Sequence, residues 1–348
     1  MIRPGIADGL NVCSGACGGQ NSATGVSSVR LPRKLLAMTM PMLVDSATAR
    51  PPSAGTGADN GDYVKIQSGA PGRTRWALIT VTFNSAVALE EYWTPVARHR
   101  PSTVEWVVVD NNSSDRSREV AARLGARVIR LGKNVGFSRA NNIGFGSTDA
   151  PYVAFVNPDV TPCFESLSKL SAAIDASPDT LVAPQLVNSD GTLQPNGRGK
   201  PYLWLKVLHR LAPRRVETAY RRYAKPGEAV EVDWLTGAVI AGSRERLYLL
   251  GAAGPWDEKF FVYYEDTDLG LRNLANGGRN ALVGDANWIH GWDRATTTAS
   301  LPAWRNEIAS LIKFYYKYPR YLSVPSLTRR QKFKGSMAEP PAIVAAPA

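Results

Sequence analysis

The sequence has little of what marks several classes of protein. Its 348 residues contain only three cysteines, Cys13, Cys17 and Cys163, which are too few for a disulfide framework. No further pair of Cys or His stands near Cys13 and Cys17, so we predict no zinc site there. No uninterrupted apolar run approaches the roughly 18 residues of a membrane-spanning helix. We therefore expect the chain to stay in the cytoplasm.

Glycine-rich loops of the kind that hold nucleotide phosphates are also absent. No Gly-x-Gly-x-x-Gly follows the first apolar run at 76–83, which disfavours a dinucleotide-binding Rossmann domain, and there is no Walker A lysine motif. We therefore expect a nucleotide to be held through side chains and not through a glycine-rich phosphate loop. A sugar nucleotidyltransferase is disfavoured for the same reason, since Asn84-Ser-Ala-Val87 is not a basic, glycine-rich loop.

Acidic residues are fewer than basic ones. The formal net charge of +11 predicts an anionic partner, and nucleic acid, an acidic membrane surface or a phosphorylated substrate would each fit. No RNP, zinc-finger or helix-turn-helix signal is present, so we expect no nucleic-acid partner. Basic residues concentrate at 198–225, where Glu217 is the only acid and Trp204 stands among leucines. A solvated basic face is the simplest interpretation, but this mixture also suits a segment that lies on anionic lipid.

The centre of the chain alternates predicted strands and helices. Apolar, β-branched runs predict buried strands, and apolar residues at helical spacing predict the helices between them. Strands are expected at 76–83, 104–109, 127–131, 152–156 and 279–283, and helices at 86–99, 116–124 and 302–318. Strand–helix alternation with short links is typical of a doubly wound α/β sheet.

Composition divides the chain into four segments. Residues 1–72 are rich in Gly, Ser, Ala and Pro and are predicted to be a disordered extension. Residues 73–300 form the α/β domain, and 301–325 form a C-terminal helical segment. From 326 to 348 the chain is a basic and then Pro/Ala-rich tail. Nothing in the sequence predicts an oligomeric state.

Polar residues follow the predicted strands, where ligands of such sheets bind. Asn84-Ser85 and Asp110–Asp115 follow the first two strands. Gly132–Gly144 offers a tight turn and the start of a helix, with Arg139 able to meet a phosphate; an ordinary loop and helix cap is the alternative. Asp159 follows the fourth strand, and a carboxylate there suits a divalent cation with oxygen ligands.

An acidic stretch follows a run of aromatics from Phe260 to Tyr264. Glu265, Asp266 and Asp268 open a predicted helix there. Aromatic side chains exclude water, so carboxylates beside them acquire pKa values that a mechanism can use. The alternative is ordinary capping, because the N-terminus of a helix favours negative charge.

Together these motifs resemble one family. The matching pieces, in order, are Val81–Asn84, Val109–Asp115, Asn134–Asn142, Asn157–Val160, Trp234–Ala238, Trp256–Leu269 and His290. They span roughly residues 76–295 and are similar to the inverting glycosyltransferases of family 2, in the rhamnosyltransferase-like branch. Each piece is weak alone, and their order carries the resemblance. It implies a GT-A fold, which is a doubly wound mixed α/β sheet, with a helical C-terminal segment.

The resemblance implies a nucleotide-sugar site and a metal site. Asp159 stands at the metal-binding Asp-x-Asp motif, with Asn157 in place of the first Asp. His290 would be a further ligand of Mg²⁺ or Mn²⁺, which would neutralise charge on the departing nucleoside diphosphate. The residues implied in donor binding are Thr82, Asn84, Asp110, Asn112, Gly136, Arg139, Asn142, Asn157 and Asp159.

The resemblance also implies catalytic roles. Asp266 matches the family's catalytic base, which takes the proton from the acceptor hydroxyl as it attacks the anomeric carbon from the far face. Glu265 would support this base, whereas Asp268 with Arg272 would serve structure. Trp234 and Gly237 would face the acceptor.

The implied reaction moves L-rhamnose from dTDP-rhamnose to a cell-envelope acceptor, polyprenyl-diphosphate-linked GlcNAc. The basic segment 198–225 would bind that diphosphate and lie on the inner face of the cell membrane. The rival hypothesis is a non-catalytic nucleotide-sugar-binding protein of the same fold. The presence of Asp159, Asp266 and His290 argues against it.

Overall fold

A computed structural model of the protein describes residues 75–211, 220–291 and 301–323. The predicted extension at 1–72, with Cys13 and Cys17, and the predicted tail at 326–348 lie outside the described residues. So does part of the basic segment, at 212–219.

The parallel half of the sheet follows the predicted alternation. Its strands are β1 (Trp76–Thr82), β2 (Val104–Asp110), β3 (Arg127–Arg130) and β4 (Tyr152–Val156), in the order β3-β2-β1-β4. Alternate residues of β1, such as Leu78 and Ile79, belong to two different apolar clusters, one on each face of the sheet. In the pairing of β1 with β2, Thr82 stands beside Asp110. The carboxyl ends of both strands therefore meet at one edge.

The second half makes the sheet mixed. Its strands are β5 (Val160–Thr161), β6 (Thr180–Val187), β7 (Leu193–Gln194), β10 (Ala229–Val232), β12 (Val239–Ser243) and β13 (Arg279–His290). The full order is β10-β13-β6-β12-β4-β1-β2-β3, with β5 on β13 and β7 on β6. β12 runs antiparallel to β4. A separate sheet contains β8 (Gly197–Arg198), β9 (Arg221–Arg222) and β11 (Trp234–Leu235). The predicted doubly wound mixed sheet is confirmed.

The helices differ from the prediction in two places. They are α1 (Ala86–Ala88), α2 (Thr94–Ala97), α3 (Ser117–Arg123), α4 (Phe137–Gly146), α5 (Leu167–Ala176), α6 (Leu203–Leu211), α7 (Arg244–Leu249), α8 (Glu265–Ala275) and α9 (Leu301–Lys317). The helix expected at 86–99 is broken, because a π-helical turn at Leu89–Trp93 separates α1 from α2. Pro95 lacks a backbone N–H and cannot continue the regular pattern of the preceding turn. α6 lies inside the basic segment, for which no helix was predicted.

The strand expected at 279–283 is longer than predicted. β13 continues to His290, with a change of register between Val283 and Asn287. This irregularity lets its end pair with β5, where His290 stands beside Val160. The continuation matters because it brings His290 to the segment that contains Asp159.

A third apolar cluster joins α8 to the C-terminal helix. Phe260 and Leu271 pack there with Phe314, Tyr315 and Tyr321. α9 matches the predicted helix at 302–318 to within one residue at each end. Among the described residues, the helices include none that is long and apolar enough to cross a membrane.

Candidate active site

The ends of β1 and β2 bring Thr82 and Asp110 together. Both side chains are fully buried, and the Thr82 hydroxyl donates to Oδ1 of Asp110 at 3.2 Å. Oδ2 of Asp110 accepts from the backbone N–H of Ser113 at 3.1 Å. Asp110 therefore shapes the turn after β2 as well as standing at the edge where a nucleotide is expected.

Two asparagines at this edge have left-handed backbones. Asn84 has φ 55° and Asn112 has φ 66°, a conformation that asparagine tolerates better than most residues. Oδ1 of Asn84 accepts from the backbone N–H of Ser114 at 2.8 Å, which ties the turn after β1 to the turn after β2. Asn112 is exposed. Thr82 and Asp110 are thus in direct contact, and Asn84 is joined to the turn after β2, which contains Asn112.

Gly136 lets the loop before α4 contact the aromatic segment. Its φ is 88°, and a Cβ there would lie 2.7 Å from Cδ2 and 2.8 Å from the carbonyl oxygen of Phe261. The next residue, Phe137, donates its N–H to that oxygen at 2.6 Å. The loop expected along the donor is therefore attached to the segment that leads into α8.

A Gly136→Ala substitution is expected to destabilise the fold by about 2–4 kcal/mol, because strain at positive φ adds to the clash with Phe261. Urea unfolding followed by circular dichroism measures the effect. Gly146→Ala is the matched control, since no atom lies within 4 Å of a Cβ at Gly146 and alanine favours a helix. Equal unfolding midpoints for both variants would contradict this account of Gly136.

The two α4 residues expected at the donor have different surroundings. The Asn142 amide nitrogen donates to the carbonyl oxygen of Trp256 at 2.9 Å, and its Oδ1 accepts from the N–H of Trp256 at 3.0 Å. This double contact fits a supporting role, holding the loop before the acidic stretch. Arg139 is more exposed, with Nε 3.8 Å from a carboxylate oxygen of Glu258.

Asp159 and His290 meet where β13 pairs with β5. Nε2 of His290 lies 3.4 Å from Oδ2 of Asp159, and Nδ1 lies 2.8 Å from Oε1 of Gln194. The Gln194 amide nitrogen donates to the carbonyl oxygen of His290 at 2.7 Å and to Oδ1 of Asn188 at 2.5 Å. Its oxygen is thereby left to accept the Nδ1 proton of His290. Nε2 then turns its lone pair toward Asp159 whenever it is unprotonated.

This pair fits a divalent cation. A carboxylate oxygen and an imidazole lone pair repel each other unless a cation or a proton lies between them. Gln194, which was not predicted from the sequence, orients His290 as outer partners orient metal-bound histidines. Within the described ranges, no three His, Cys, Asp or Glu residues cluster as a metal site. Asp159 and His290 would supply two ligands, and substrate phosphates and waters would supply the rest. Asn157 donates its backbone N–H to the carbonyl oxygen of Ala238 at 2.9 Å, which fixes the end of β4.

Asp266 lies at the start of α8 with its carboxylate held by backbone groups. Oδ2 accepts from the N–H of Gly237 at 3.0 Å, and Oδ1 accepts from the N–H of Thr267 at 2.6 Å. A Cβ at Gly237 would lie 3.6 Å from that of Asp266, an ordinary contact, so the N–H of Gly237 is what matters here. The Asp266 side chain is only half-buried. Fixed orientation with access from outside is what a general base requires.

Glu265 is buried beside this carboxylate. It is 7% exposed, and its Oε2 has no hydrogen-bond partner among the described residues. Burial, reinforced by the negative charge of Asp266, raises the pKa of Glu265 well above its ordinary value. Glu265 therefore holds its proton more tightly than an exposed glutamate does.

The turn before α8 is strained. Tyr263 and Tyr264 have φ 70° and 68°, and a left-handed tyrosine costs about 1–3 kcal/mol. α9 holds this turn: the Ser310 hydroxyl donates to the carbonyl oxygen of Val262 at 2.7 Å, and the Phe314 ring centre lies 5.1 Å from that of Tyr264. The C-terminal helix therefore helps to position Glu265 and Asp266.

Trp234, expected at the acceptor, is buried with its indole N–H donating to the carbonyl oxygen of Gly199 at 2.9 Å. A Cβ at Gly270 would lie 2.6 Å from Cβ of Trp234, so α8 packs closely on β11. Trp234 thus supports the strand before Gly237. Lys206 of α6, whose Nζ lies 3.8 Å from the Tyr264 ring centre, was not among the site residues predicted from the sequence. The available signal was a lysine inside the short helical pattern of Leu203–Leu211.

Asp268 is completely buried, as a structural role requires. Its Oδ2 accepts from Nε of Arg272 at 2.7 Å, and its Oδ1 accepts from the hydroxyl of Tyr318 at 2.8 Å. Nζ of Lys317 lies 2.6 Å from the same Oδ1. Asp268 thus joins α8 to the end of α9, whereas Asp266, two residues earlier, faces outward.

Comparison with known proteins finds related sequences and a related fold. Residues 77–233 match the family model Glycosyl transferase family 2. The chain is 27% identical over 245 residues to N-acetylglucosaminyl-diphospho-decaprenol L-rhamnosyltransferase of Mycobacterium tuberculosis, covering 65% of this chain and 78% of that protein. It is 23% identical over 203 residues to the low-salt glycan biosynthesis hexosyltransferase Agl10 of Haloferax volcanii, covering 56% of this chain and 60% of that one.

Among solved structures, GalNAc-T7 with UDP, GalNAc and Mn²⁺ has a similar fold. The TM-score is 0.51 at 16% identity, and the match covers 72% of this chain and 52% of that one. The chain therefore spans about half the length of that protein, and the likeness concerns the fold alone. From the family match, the sheet and these relatives, residues 77–233 belong to the family 2 glycosyltransferases, and the chain has the GT-A fold and is similar in sequence to the rhamnosyltransferase branch.

Proposed function

We propose that this glycosyltransferase moves L-rhamnose from dTDP-rhamnose, with inversion, to the GlcNAc of a polyprenyl-diphosphate-linked acceptor. The observation that carries the chemistry is the Asp266 carboxylate, fixed by the N–H of Gly237 at 3.0 Å and open on one side. The similarity to the N-acetylglucosaminyl-diphospho-decaprenol L-rhamnosyltransferase of Mycobacterium tuberculosis supports rhamnose as the sugar and a lipid-linked GlcNAc diphosphate as the acceptor. A cell-envelope glycan would be the product.

In this mechanism two groups of residues at the carboxyl edge of the sheet hold different parts of the donor. Thr82 and Asp110 stand where the base and ribose would bind, and Asp159 with His290 would hold a divalent cation. When bound, Mg²⁺ or Mn²⁺ stabilises negative charge on the leaving nucleoside diphosphate. Asp266 takes the proton of the acceptor hydroxyl, which attacks the anomeric carbon from the face opposite the leaving group. The sugar is therefore transferred with inverted configuration.

The apolar outer face of α6 is an argument for a lipid-linked acceptor and for contact with the inner face of the membrane. Leu203, Trp204, Val207 and Leu208 line an open groove of about 490 Å³ together with Leu322. Val207 and Leu322 are about half exposed. An apolar helix face on a chain with a net charge of +11 suits contact with an anionic leaflet and with the isoprenoid part of the acceptor.

A donor panel tests the proposal. The full chain is incubated with Mg²⁺ or Mn²⁺, a short-chain GlcNAc-diphosphate lipid, and dTDP-, UDP- or GDP-sugars. We expect release of dTDP from dTDP-rhamnose and a rhamnosylated product whose anomeric configuration is opposite to that of the donor. Transfer from another donor would show that the transferred sugar is not rhamnose. A product with the anomeric configuration of the donor would contradict the inverting mechanism. Binding of a donor without any transfer would favour the non-catalytic alternative, whereas pyrophosphate release from a nucleoside triphosphate and a sugar phosphate would favour a nucleotidyltransferase.

Removal of the metal is expected to abolish transfer, and excess Mn²⁺ is expected to restore it. Gln194→Ala should lower metal affinity by about 10–100-fold, because it removes the group that orients His290. The measurement is the Mn²⁺ concentration that gives half-maximal transfer. His99→Ala, at an exposed histidine, is the control and should leave that concentration unchanged. An unchanged Mn²⁺ requirement in Gln194→Ala would contradict this role of Gln194.

A further inference from the structure

Lys206 and Arg198 lie near Asp266, and among the described residues neither has a carboxylate in contact with its charged group. Nζ of Lys206 lies 3.8 Å from the Tyr264 ring centre and 5.7 Å from that of Trp234. The Arg198 guanidinium on β8 lies 6.0 Å from the Trp234 ring centre, and its hydrogen bonds go to the carbonyl oxygens of Pro195 and Gly197. Within the described part of the chain, neither cation forms an ion pair with an acidic side chain.

The surroundings of Lys206 leave its charge poorly compensated. Burial raises the pKa values of Tyr220, Tyr264 and Tyr315, so these tyrosines are neutral and provide no counter-charge. Among the described residues, the charged groups that act on Lys206 are Asp266 of α8, Glu307 of α9 and Arg198 of β8. A cation held among aromatic rings without a close anion is costly, and a bound anion would remove that cost.

The place of these cations indicates which anion they would bind. The donor phosphates are assigned to the sheet edge with Asp159 and His290, so a second anion site beside Asp266 belongs to the acceptor. On α6, Trp204, Val207 and Leu208 have the spacing of one helix face and line the apolar groove, while Lys206 lies on another face. From Asp266 through Lys206 to the outer face of α6, the order is base, cation and apolar surface. A lipid-linked sugar has the matching order of hydroxyl, phosphate and hydrocarbon chain.

We propose that Lys206, with Arg198, forms a phosphate-binding subsite that recognises the acceptor through the phosphate attached to its sugar. The inference rests on the proposed glycosyl transfer and adds residues that select an anionic acceptor over a neutral one. Lys206 is in this view a specificity-determining residue, and Asp266 remains the base.

The subsite has a pH dependence with a defined sign. Burial lowers the pKa of Lys206 to about 8, so its ammonium loses the charge as the pH rises through that value. The acceptor diphosphate stays ionised over the same range. Affinity for the phosphorylated acceptor should therefore fall above pH 8 in the native protein. In Lys206→Arg the charge persists, so the affinity should hold to higher pH.

The experiment compares two acceptors of equal chain length: a GlcNAc diphosphate with a short isoprenoid chain and a neutral GlcNAc glycoside with the same chain. Binding is measured by calorimetry without donor, and KM by transfer with the best donor. The native protein should bind the diphosphate at least about tenfold more tightly than the glycoside, as expected for charge-assisted hydrogen bonds. Lys206→Met should weaken diphosphate binding by about 10–100-fold and narrow the difference between the two acceptors. Lys169→Met, at an exposed lysine of α5, is the control and should leave both affinities unchanged.

The outcomes separate this proposal from the proposed function. Equal affinity of the native protein for both acceptors, or binding of neither, would overturn the subsite even if transfer is observed. An equal loss for both acceptors in Lys206→Met would also overturn it, because that is the signature of a structural role; binding of free nucleoside diphosphate verifies that the variant is folded. If Lys206→Met selectively lost diphosphate binding while the native protein transferred sugar from no donor, the subsite would be supported and the proposed transferase function refuted.

Discussion

Asp266→Asn is expected to lower the rate of sugar transfer by about 10²–10⁴-fold, the usual contribution of a general base. Asparagine keeps the size of the side chain and can still accept from the N–H of Gly237, but it cannot take the acceptor proton. The affinity for the nucleotide-sugar should change little, because Asp266 is assigned to the acceptor hydroxyl. Transfer at saturating donor and acceptor, followed as nucleoside diphosphate release, measures the effect.

The control for this variant is Asp149→Asn, at a fully exposed carboxylate, which should retain activity within about twofold. Asp266→Glu is a useful companion, since it keeps a carboxylate but displaces it, and should fall between the native protein and Asp266→Asn. Transfer by Asp266→Asn within a few-fold of the native rate would place the base on another residue.

The substitution Asp268→Asn should lower the free energy of unfolding without changing the residues assigned to the reaction. The buried carboxylate contacts Arg272, Lys317 and Tyr318. Its neutralisation leaves Arg272 without its ion-pair partner, whereas Lys317 keeps its contact with Asp257. Removing one partner of a buried ion pair typically costs about 3–5 kcal/mol. Urea unfolding at neutral pH measures the loss, and any protein that remains folded should keep its affinity for the nucleotide-sugar.

The stability lost by two further variants provides a scale for the loss in Asp268→Asn. Tyr318→Phe removes one donor to Asp268 and should cost about 1–2 kcal/mol, which is measurable if Asp268→Asn does not fold. Glu231→Gln breaks an exposed ion pair with Arg279 and should cost at most about 1 kcal/mol. If Asp268→Asn lost no more stability than Glu231→Gln, the structural assignment of Asp268 would be wrong.

The sequence predicted β1, β2 and β4 because each is a largely apolar run, rich in β-branched or aromatic residues, that is buried on both faces. It also predicted the neighbourhood of Thr82 and Asp110, since the carboxyl ends of parallel strands meet at one edge. The order of the motifs predicted the family and the fold, which are confirmed. The assignment of individual site residues stays a prediction, and the geometry is consistent with Asp266, Asp159 and His290.

Other features depend on contacts that the sequence does not show. The sequence Tyr263-Tyr264 does not indicate a left-handed backbone. That conformation depends on packing against α9, which the sequence does not show. Gln194 lies far from His290 along the chain and reaches it only through the pairing of β7 with β6 and of β6 with β13. α6 was missed because the many basic residues around it suggested a solvated surface. Its single inward lysine could be recognised only after the aromatic rings around it were placed.

The position of β12 has a consequence for how the protein is made. β12 (Val239–Ser243) lies between β4 and β6, both of which leave the ribosome earlier. Until it arrives, the edges of β4 and β6 that face it expose unpaired backbone groups, and such edges are prone to pair with other chains. A chain that ended at residue 233 would contain every residue of the family match and still lack the strand that joins the two halves. The smallest unit that can fold independently must therefore be longer than the segment by which the family is recognised.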